Sequence, residues 1–295
     1  EYKSEQELID DIKNVQNELE KDLEKVISDY SPTNILISNV FSVGEGFPVA
    51  GAILNVLDKY QIPTVLIHHD FYWEASRYSK PSCKFIEKQL DLSFLPSRPY
   101  IKHYCINSIG KESLFRFKGV SAGINYDTFD YNQPKWEKCY RISKYLNSKG
   151  IEENDLVVLQ ATRVVRRKNI ELAIDLVDSL NDRKEDISGK LFNGRDFNPK
   201  ENKIVLLLSG YVEKRDEEYL ELLRNYAKEK GVKLIYLGDD IDKEYTLFDI
   251  YPYADIITYP SEYEGFGNQF LEAVFARKPV VLFEYPVFKT DRSEE

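Results

Sequence analysis

The sequence predicts an α/β protein built from two domains of doubly wound parallel sheet. Short apolar runs alternate with amphipathic helical stretches in two successive sets, and a polar, aromatic segment separates the sets. A chain of 295 residues also suits two domains of ordinary size, and with 42% hydrophobic residues each half can bury a core.

The first set opens on a helix. Ile9, Ile12, Val15, Leu19, Leu23 and Val26 recur every three or four residues, an amphipathic pattern over Glu5–Tyr30. It is expected to pack on a sheet, because it holds too few heptads for a coiled coil. A buried strand is expected at 34–40 and a helix at 48–60, with Ala50, Ala52, Ile53, Val56 and Leu57 on its apolar face. Strand 63–68, helix 83–91, strand 101–106, helix 109–117 and a short strand near 119–124 follow. Residues 126–134, Tyr-Asp-Thr-Phe-Asp-Tyr-Asn-Gln-Pro, read as the interdomain linker. The domains are therefore expected at 1–130 and 131–295.

The second set runs helix 136–146, strand 156–161, helix 169–181, strand 204–209, helix 216–230 stopped by Gly231, and strand 233–237. Residues 182–201 are polar and read as loop between helix and strand. No internal repeat with a period of about 20–50 residues is evident.

The net charge of −10 argues against nucleic acid or an anionic membrane as the main partner. Against that background Arg163, Arg166, Arg167 and Lys168 form a local basic cluster. No apolar run approaches about 18 residues, so no segment is expected to span a membrane, and no signal-peptide pattern opens the chain. Cys83, Cys105 and Cys139 are odd in number and lack CxxC spacing. They read as small buried residues in a reducing cytoplasm, with neither a metal site nor a disulfide set expected. Asp239 and Asp240 are adjacent and read as loop acids, so no metal centre is expected. The sequence contains no methionine, and we expect residues of the natural chain to be missing from it, which would shorten apparent spacings.

The chemistry concentrates in 259–281, Tyr-Pro-Ser-Glu-Tyr-Glu-Gly-Phe-Gly-Asn-Gln-Phe-Leu-Glu-Ala-Val-Phe-Ala-Arg-Lys-Pro-Val-Val. An apolar strand at 255–259 ends at Pro260 and Ser261. Gly265 and Gly267 have no Cβ and let the backbone pass close to a ligand. The following helix starts with free N–H groups, where phosphate is stabilised, and 269–276 supply the apolar spacing that packs it on a sheet. Glu264 and Glu272 bracket this turn. As the acid and nucleophile of a glycoside hydrolase they would need to stand about 5 Å or about 6.5–9.5 Å apart. Eight helical residues separate them by roughly 12 Å, which fits two roles on one ligand better.

This string resembles the donor-site signature of the retaining glycosyltransferases of family 4, the glycosyl transferases group 1. Those enzymes share the GT-B fold, two Rossmann-like domains facing each other across a cleft. Their signature is a Glu, seven residues and a second Glu, with Gly-Phe-Gly after the first. Glu264, Gly265, Phe266, Gly267 and Glu272 match it. The resemblance implies that Glu272 binds the nucleotide ribose, that Glu264 binds the donor sugar, and that Gly265, Phe266, Gly267 and Asn268 line the sugar and phosphate. Family members also grip the donor diphosphate with an Arg and a Lys five residues later, at the carboxyl edge of a sheet where ligands bind. Arg163 and Lys168 have that spacing, whereas Arg166 and Arg167 read as surface charges.

At the end of strand 63–68, His69 precedes Asp70, matching a family His that reaches the donor sugar or acceptor, with His68 beside it. Phe71, Tyr72 and Trp73 are candidates to floor an acceptor pocket. Gly44 and Gly46 read as a tight strand–helix turn. Residues 121–129 loosely resemble a family Asn-Gly-Ile-Asp segment, but Ala122 stands where Asn belongs and no role carries over.

The resemblance covers roughly residues 34–290, most strongly from 155 onward. It departs at both ends. No strand with a glycine-rich loop precedes Glu5–Tyr30, and only a few residues follow Pro286, so either a fragment or short form is expected or these pieces, the family's crossover helix among them, are missing from the sequence. The implied activity moves a hexose from a nucleotide sugar of the UDP-glucose or GDP-mannose type to an acceptor hydroxyl, with retention. His69, Glu264, Arg163 and Lys168 would be its catalytic groups, with no metal or other cofactor. The acceptor class is a small molecule, a glycan or a lipid-linked sugar, which leaves peripheral membrane contact open. The alternative is a two-lobed sugar- or nucleotide-binding protein without catalysis, disfavoured by the paired phosphate features and the absent signal pattern.

Overall fold

The computed structural model describes residues 2–74, 76–125, 136–187 and 189–292. The expected linker lies outside the described residues. The chain divides into two compact units, Glu1–Asp127 with Thr290–Glu295, and Thr128–Lys289.

In the first unit α1 (Glu5–Tyr30) starts at Ser4, whose hydroxyl accepts from the Glu7 N–H at 3.2 Å. It is followed by β1 (Ile35–Ser38), α2 (Phe47–Tyr60), β2 (Thr64–His68), α3 (Ser76–Ser79), α4 (Lys84–Leu92), β3 (Ile101–Cys105), α5 (Ser108–Lys118) and β4 (Ala122–Ile124). The strands are all parallel and stand in chain order, β1-β2-β3-β4. Ala50, Leu54 and Leu57 of α2 join Leu66 and Ile101 in one core, and Leu114 of α5 joins Cys105 and Val120 in another. The turn into α2 needs its glycines: Gly44 and Gly46 have φ of +76° and +66°.

One expectation fails here. α1 lies along α2 rather than on the sheet. Asn55 donates to Glu20 at 2.6 Å, and Lys59 pairs with Glu24 at 2.6 Å. The stripe is too thin for a sheet face, since Ile12 is buried while Val15 and Val26 are 40% and 49% exposed.

The second unit contains α6 (Tyr140–Ser148), β5 (Leu156–Gln160), α7 (Ile170–Asp182), β6 (Gly189–Lys190), β7 (Asp196–Phe197), β8 (Ile204–Leu208), α8 (Glu217–Glu229) and β9 (Lys233–Tyr236). After these come α9 (Leu247–Ile250), β10 (Ile256–Tyr259), α10 (Asn268–Phe275) and β11 (Val280–Leu282), and α11 (Pro286–Asp291) ends in residues of the first unit. Its parallel sheet has the order β11-β10-β5-β8-β9. The chain enters at β5, winds outward to β9, then returns to β10 on the other side of β5. The direction of winding therefore switches between β5 and β10. Every residue of β5 and β8 is buried, because helices cover both faces. Leu156, Val158, Leu206 and Leu208 pack with α7 and α8, while Val157, Leu159, Val205, Leu207 and Ile257 pack with α6 and α10.

Three other expectations are corrected. The helix expected at 136–146 begins only at Tyr140. Trp136 stays outside it, its ring 4.7 Å from Phe248, 5.4 Å from Tyr251 and 4.7 Å from Phe275. Residues 182–201 are not all loop, since β6 and β7 pair as an antiparallel ribbon. Only Cys105 of the cysteines is buried; Cys83 is half-buried and Cys139 exposed, and all three are free thiols. Among the described residues no helix is long and apolar enough to cross a membrane.

Asp255, just before β10, fastens that strand to β5. Its carboxylate accepts from the Val157 N–H at 2.9 Å, and its own N–H donates to the Val157 carbonyl at 2.9 Å. Arg195, from the loop of the β6–β7 ribbon, closes on both carboxylate oxygens at 2.6 Å. Removing one partner of such a sequestered pair strands the other charge. Asp255→Ala is expected to lower the stability of the unit by about 3 kcal/mol in urea unfolding. A loss below about 1 kcal/mol would make the clip dispensable.

Candidate active site

The site stands at the carboxyl edge of the second sheet, where the loops after β5, β8 and β10 converge. Backbone atoms meet closely there. A Cβ on Gly210 would lie 2.0 Å from the Thr162 carbonyl oxygen, so only glycine fits. The Val164 N–H donates to the Tyr211 carbonyl at 3.0 Å, joining the loop after β5 to the loop after β8.

Lys168 ends a short 3-10 turn, Arg166–Lys168, and Asn169 follows in the left-handed region with φ +47° as the cap of α7. Two bonds set this turn: the Gln160 side-chain amide donates to the Lys168 carbonyl at 3.1 Å, and the Asn169 amide donates to the Pro260 carbonyl at 3.1 Å. The second bond ties the start of α7 to the loop after β10.

Across that junction the Lys168 ammonium donates to Glu264 Oε1, and Arg167 donates to Glu264 Oε2 at 3.1 Å. The Lys168 and Glu264 side chains are only 8% and 9% exposed. Burial pulls the Lys168 pKa down to about 8, against the opposing attraction of Glu264. Burial alone would raise the Glu264 pKa, but Lys168 and Arg167 outweigh it and hold it below the ordinary value. The Lys168 ammonium also stands 5.3 Å from the centre of the Tyr259 ring.

Gly265 and Phe266 form the turn that follows, with Phe266 buried. Gly267 caps α10 at φ +92°, and a Cβ there would stand 1.9 Å from the Tyr285 hydroxyl. Both the backbone and its neighbour therefore demand glycine. Asn268 is exposed at the first turn of α10. One turn into that helix, Glu272 accepts a hydrogen bond from the buried Tyr251 hydroxyl. Burial raises the Glu272 pKa, and the Tyr251 bond and the Lys168 charge oppose that rise.

The structure thus brings Lys168, Glu264 and the glycine turn together at the switch between β5 and β10, with Glu272 one helix turn beyond. It adds Arg167, expected only as a surface charge, which is a direct partner of Glu264. Arg163 stands on a separate acid, paired with Glu213 at 2.7 Å and 6.0 Å from the Tyr211 ring centre. Asp240, expected as a loop acid, accepts from Tyr145 and Lys149, each at 2.7 Å. Nothing in the local sequence signals Tyr251. Arg167 could have been found only by taking the whole 3-10 turn as one unit.

His69 belongs to the first unit. It is exposed, its Nε2 lies 3.1 Å from the Ser38 hydroxyl, and its N–H donates to Asn39 at 3.0 Å. His68 is a core residue. His103 must donate through Nε2 to the Pro96 carbonyl at 3.1 Å, so in its neutral form its Nδ1 accepts from His68 Nε2 at 2.9 Å. Burial drives the His68 pKa down to about 3. Phe71 is also core, 3% exposed and stacked on Trp73 at 4.6 Å, so it cannot floor an open pocket.

Residues 142–290 match the family described as glycosyl transferases group 1. The chain is 40% identical to the mannosylglucosylglycerate synthase of Petrotoga mobilis over 293 residues, covering 94% of this chain and 67% of that protein. It is likewise 40% identical to the mannosylglucosylglycerate synthase of Thermotoga maritima over 297 residues, covering 98% of this chain and 65% of that protein. It therefore spans about two thirds of the length of these curated relatives. In fold it resembles the sucrose-phosphate synthase of Thermosynechococcus elongatus, with TM-score 0.62 and 15% identity over 93% of this chain and 61% of that one. It also resembles Anabaena HepE in complex with UDP and glucose, with TM-score 0.60 and 15% identity over 89% of this chain and 62% of that one.

The buried pair gives a stability test. Lys168→Met leaves the Glu264 carboxylate sequestered with Arg167 alone and is expected to cost about 3 kcal/mol. Adding Glu264→Gln to that variant is expected to recover most of the loss in urea unfolding. A double variant as unstable as the single one would show that the two side chains are not coupled.

Proposed function

The chain belongs to the glycosyl transferases group 1, and we propose that it moves a mannosyl group from a nucleotide sugar to a hydroxyl of a small glucosylated acid, with retention at the anomeric carbon and without a metal. Its fold is of the GT-B type, with two Rossmann-like domains. The donor and acceptor classes take their support from the product named for the two relatives, mannosylglucosylglycerate.

The observation that carries the proposal is the Lys168–Glu264–Arg167 cluster at the winding switch, with Glu272 on the adjoining helix. A nucleoside diphosphate placed there meets Lys168, Arg167 and the N-termini of α7 and α10, and Arg163 lies earlier on the same connection after β5. These groups stabilise the negative charge that grows on the departing diphosphate, the largest lever available to such a site. Glu264 takes the donor sugar and Glu272 the ribose hydroxyls, while Gly265, Phe266, Gly267 and Asn268 line the sugar and phosphate. His69 keeps the role on the donor sugar or acceptor that the family resemblance implies.

The deciding assay follows GDP release from GDP-mannose with a glucosylglycerate acceptor in EDTA, with UDP-glucose as the comparison donor. Turnover is expected to persist, and nuclear magnetic resonance is expected to give one anomeric configuration in donor and product. Activity lost in EDTA and restored by Mn²⁺ would end the metal-free reading, and an inverted product the retaining one. In the same assay His69→Ala is expected to lose most turnover while keeping GDP affinity. Wild-type turnover in that variant would remove His69 from the site.

A pH dependence follows from the low pKa of Lys168, about 8 in the unliganded chain. The protonated ammonium is the form that holds phosphate, so affinity for a nucleoside diphosphate is expected to be level below about pH 8 and to fall as pH rises through it. Calorimetry across that range checks this. Affinity that stays level well above that pH would mean that Lys168 contributes no charge to binding.

A further inference from the structure

Glu272 has a partner that no sequence motif accounts for. Tyr251 is fully buried and donates its hydroxyl to Glu272 Oε2, while Oε1 makes no hydrogen bond among the described residues. Several features fix the phenol in place. The helix before it, α9, starts with a reciprocal cap in which Asp249 Oδ2 accepts from the Thr246 N–H at 2.8 Å and from the Thr246 hydroxyl at 2.9 Å. Tyr251 opens the 3-10 turn Tyr251–Tyr253, whose second residue is Pro252. Trp136 then joins the two elements, packing at 5.4 Å on Tyr251 and at 4.7 Å on Phe275. Phe275 lies one turn beyond Glu272 on α10, so one aromatic contact fixes both the donor and the helix that bears the acceptor.

We infer that Tyr251 is a positioning residue for nucleotide binding: its hydroxyl occupies Oε2 and fixes the Glu272 carboxylate so that Oε1 faces the ribose hydroxyls. The inference rests on the assignment of Glu272 to the ribose proposed above. A carboxylate held on one oxygen keeps a single orientation, so its bonds to a vicinal diol cost less ordering. The same hydroxyl favours the charged carboxylate. Without it, burial is left opposed only by Lys168, and Glu272 takes up its proton at higher pH.

Calorimetry with UDP and GDP on the wild type, Tyr251→Phe, Glu272→Ala and Glu272→Gln, at mildly acidic and mildly alkaline pH, tests this. Tyr251→Phe keeps the ring and its packing. It is expected to weaken binding about tenfold, the size of a lost hydrogen bond to a charged group. The loss is expected to be larger at the acidic pH, because without the phenol burial raises the carboxyl's pKa further. Adding Glu272→Gln to Tyr251→Phe removes the titrating carboxyl, and the extra acid-side loss is expected to vanish in the double variant. If Glu272→Ala loses binding while Tyr251→Phe matches the wild type at both pH values, Tyr251 does not position the carboxylate. If Glu272→Ala itself binds as the wild type does, the assignment of Glu272 to the ribose fails, and this inference fails with it. Should Tyr251→Phe not fold, Glu272→Gln decides: it keeps a polar side chain beside the phenol but no charge, and affinity equal to that of the wild type at both pH values would show that no oriented carboxylate is needed and overturn the inference.

Discussion

The pairing of β5 with β10 sets two loops side by side that the chain keeps far apart, and the candidate site is built across that junction. Lys168 and Glu264 are separated by 96 residues. Two further strands, β8 and β9, are laid down on one side of β5 before the chain crosses to its other side. The register Ile256↔Val158 and Ile257↔Leu159 then sets how far each strand projects past the edge of the sheet. A slip of one residue would turn Ile257 from the core and carry Glu264 away from Lys168. Asp255 and Arg195 hold that register from the opposite end of the same strands. Geometry at the carboxyl edge is thus maintained by a charge pair at the amino edge.

Charges this far from water are tolerable only when nearly every polar atom has a partner. Glu264 shares two cations, and Glu272 takes a phenol. The balance is incomplete, however. Among the described residues Gln160 Oε1, Ser209 Oγ and Gln269 Oε1 are buried without a hydrogen-bond partner, and all belong to the region around the ends of β5, β8 and β10. Unpaired buried groups of this kind cost about 1–3 kcal/mol each in a folded chain. Their concentration at one sheet edge agrees with a region shaped for occupancy rather than for stability alone.

Much of this was legible in the sequence, because burial writes a period into it. β5 and β8 read as continuous apolar runs since both their faces are covered, and α7 and α8 carry stripes that match those faces. The glycine turn was legible because Gly267 has no substitute at φ +92° beside Tyr285. Partners across space were not legible. Arg167 looked like any exposed arginine, Arg163 gave no sign of Glu213, and Tyr251 lies 21 residues from Glu272. Trp136 reads as helical by spacing, but aromatic contacts with three later residues hold it outside the helix. α1 shows the converse limit: its period announces a helix and says nothing of whether a sheet or α2 receives it.

The bond between Lys168 and Glu264 also makes the protein its own competitor. Glu264 is an anion tethered to the seat that an incoming phosphate would take, and dilution does not lower its local concentration. Any free anion must displace it or share the ammonium with it. A singly charged carboxylate offers Lys168 little that it does not already have. A diphosphate brings more charge and several acceptor oxygens, enough to engage Lys168 and Arg167 and leave Glu264 free to turn to hydroxyl groups. On the proposed assignment of this seat to a diphosphate, the tether would act as a threshold, rejecting weak anions and converting the arrival of a strong one into the release of a carboxylate.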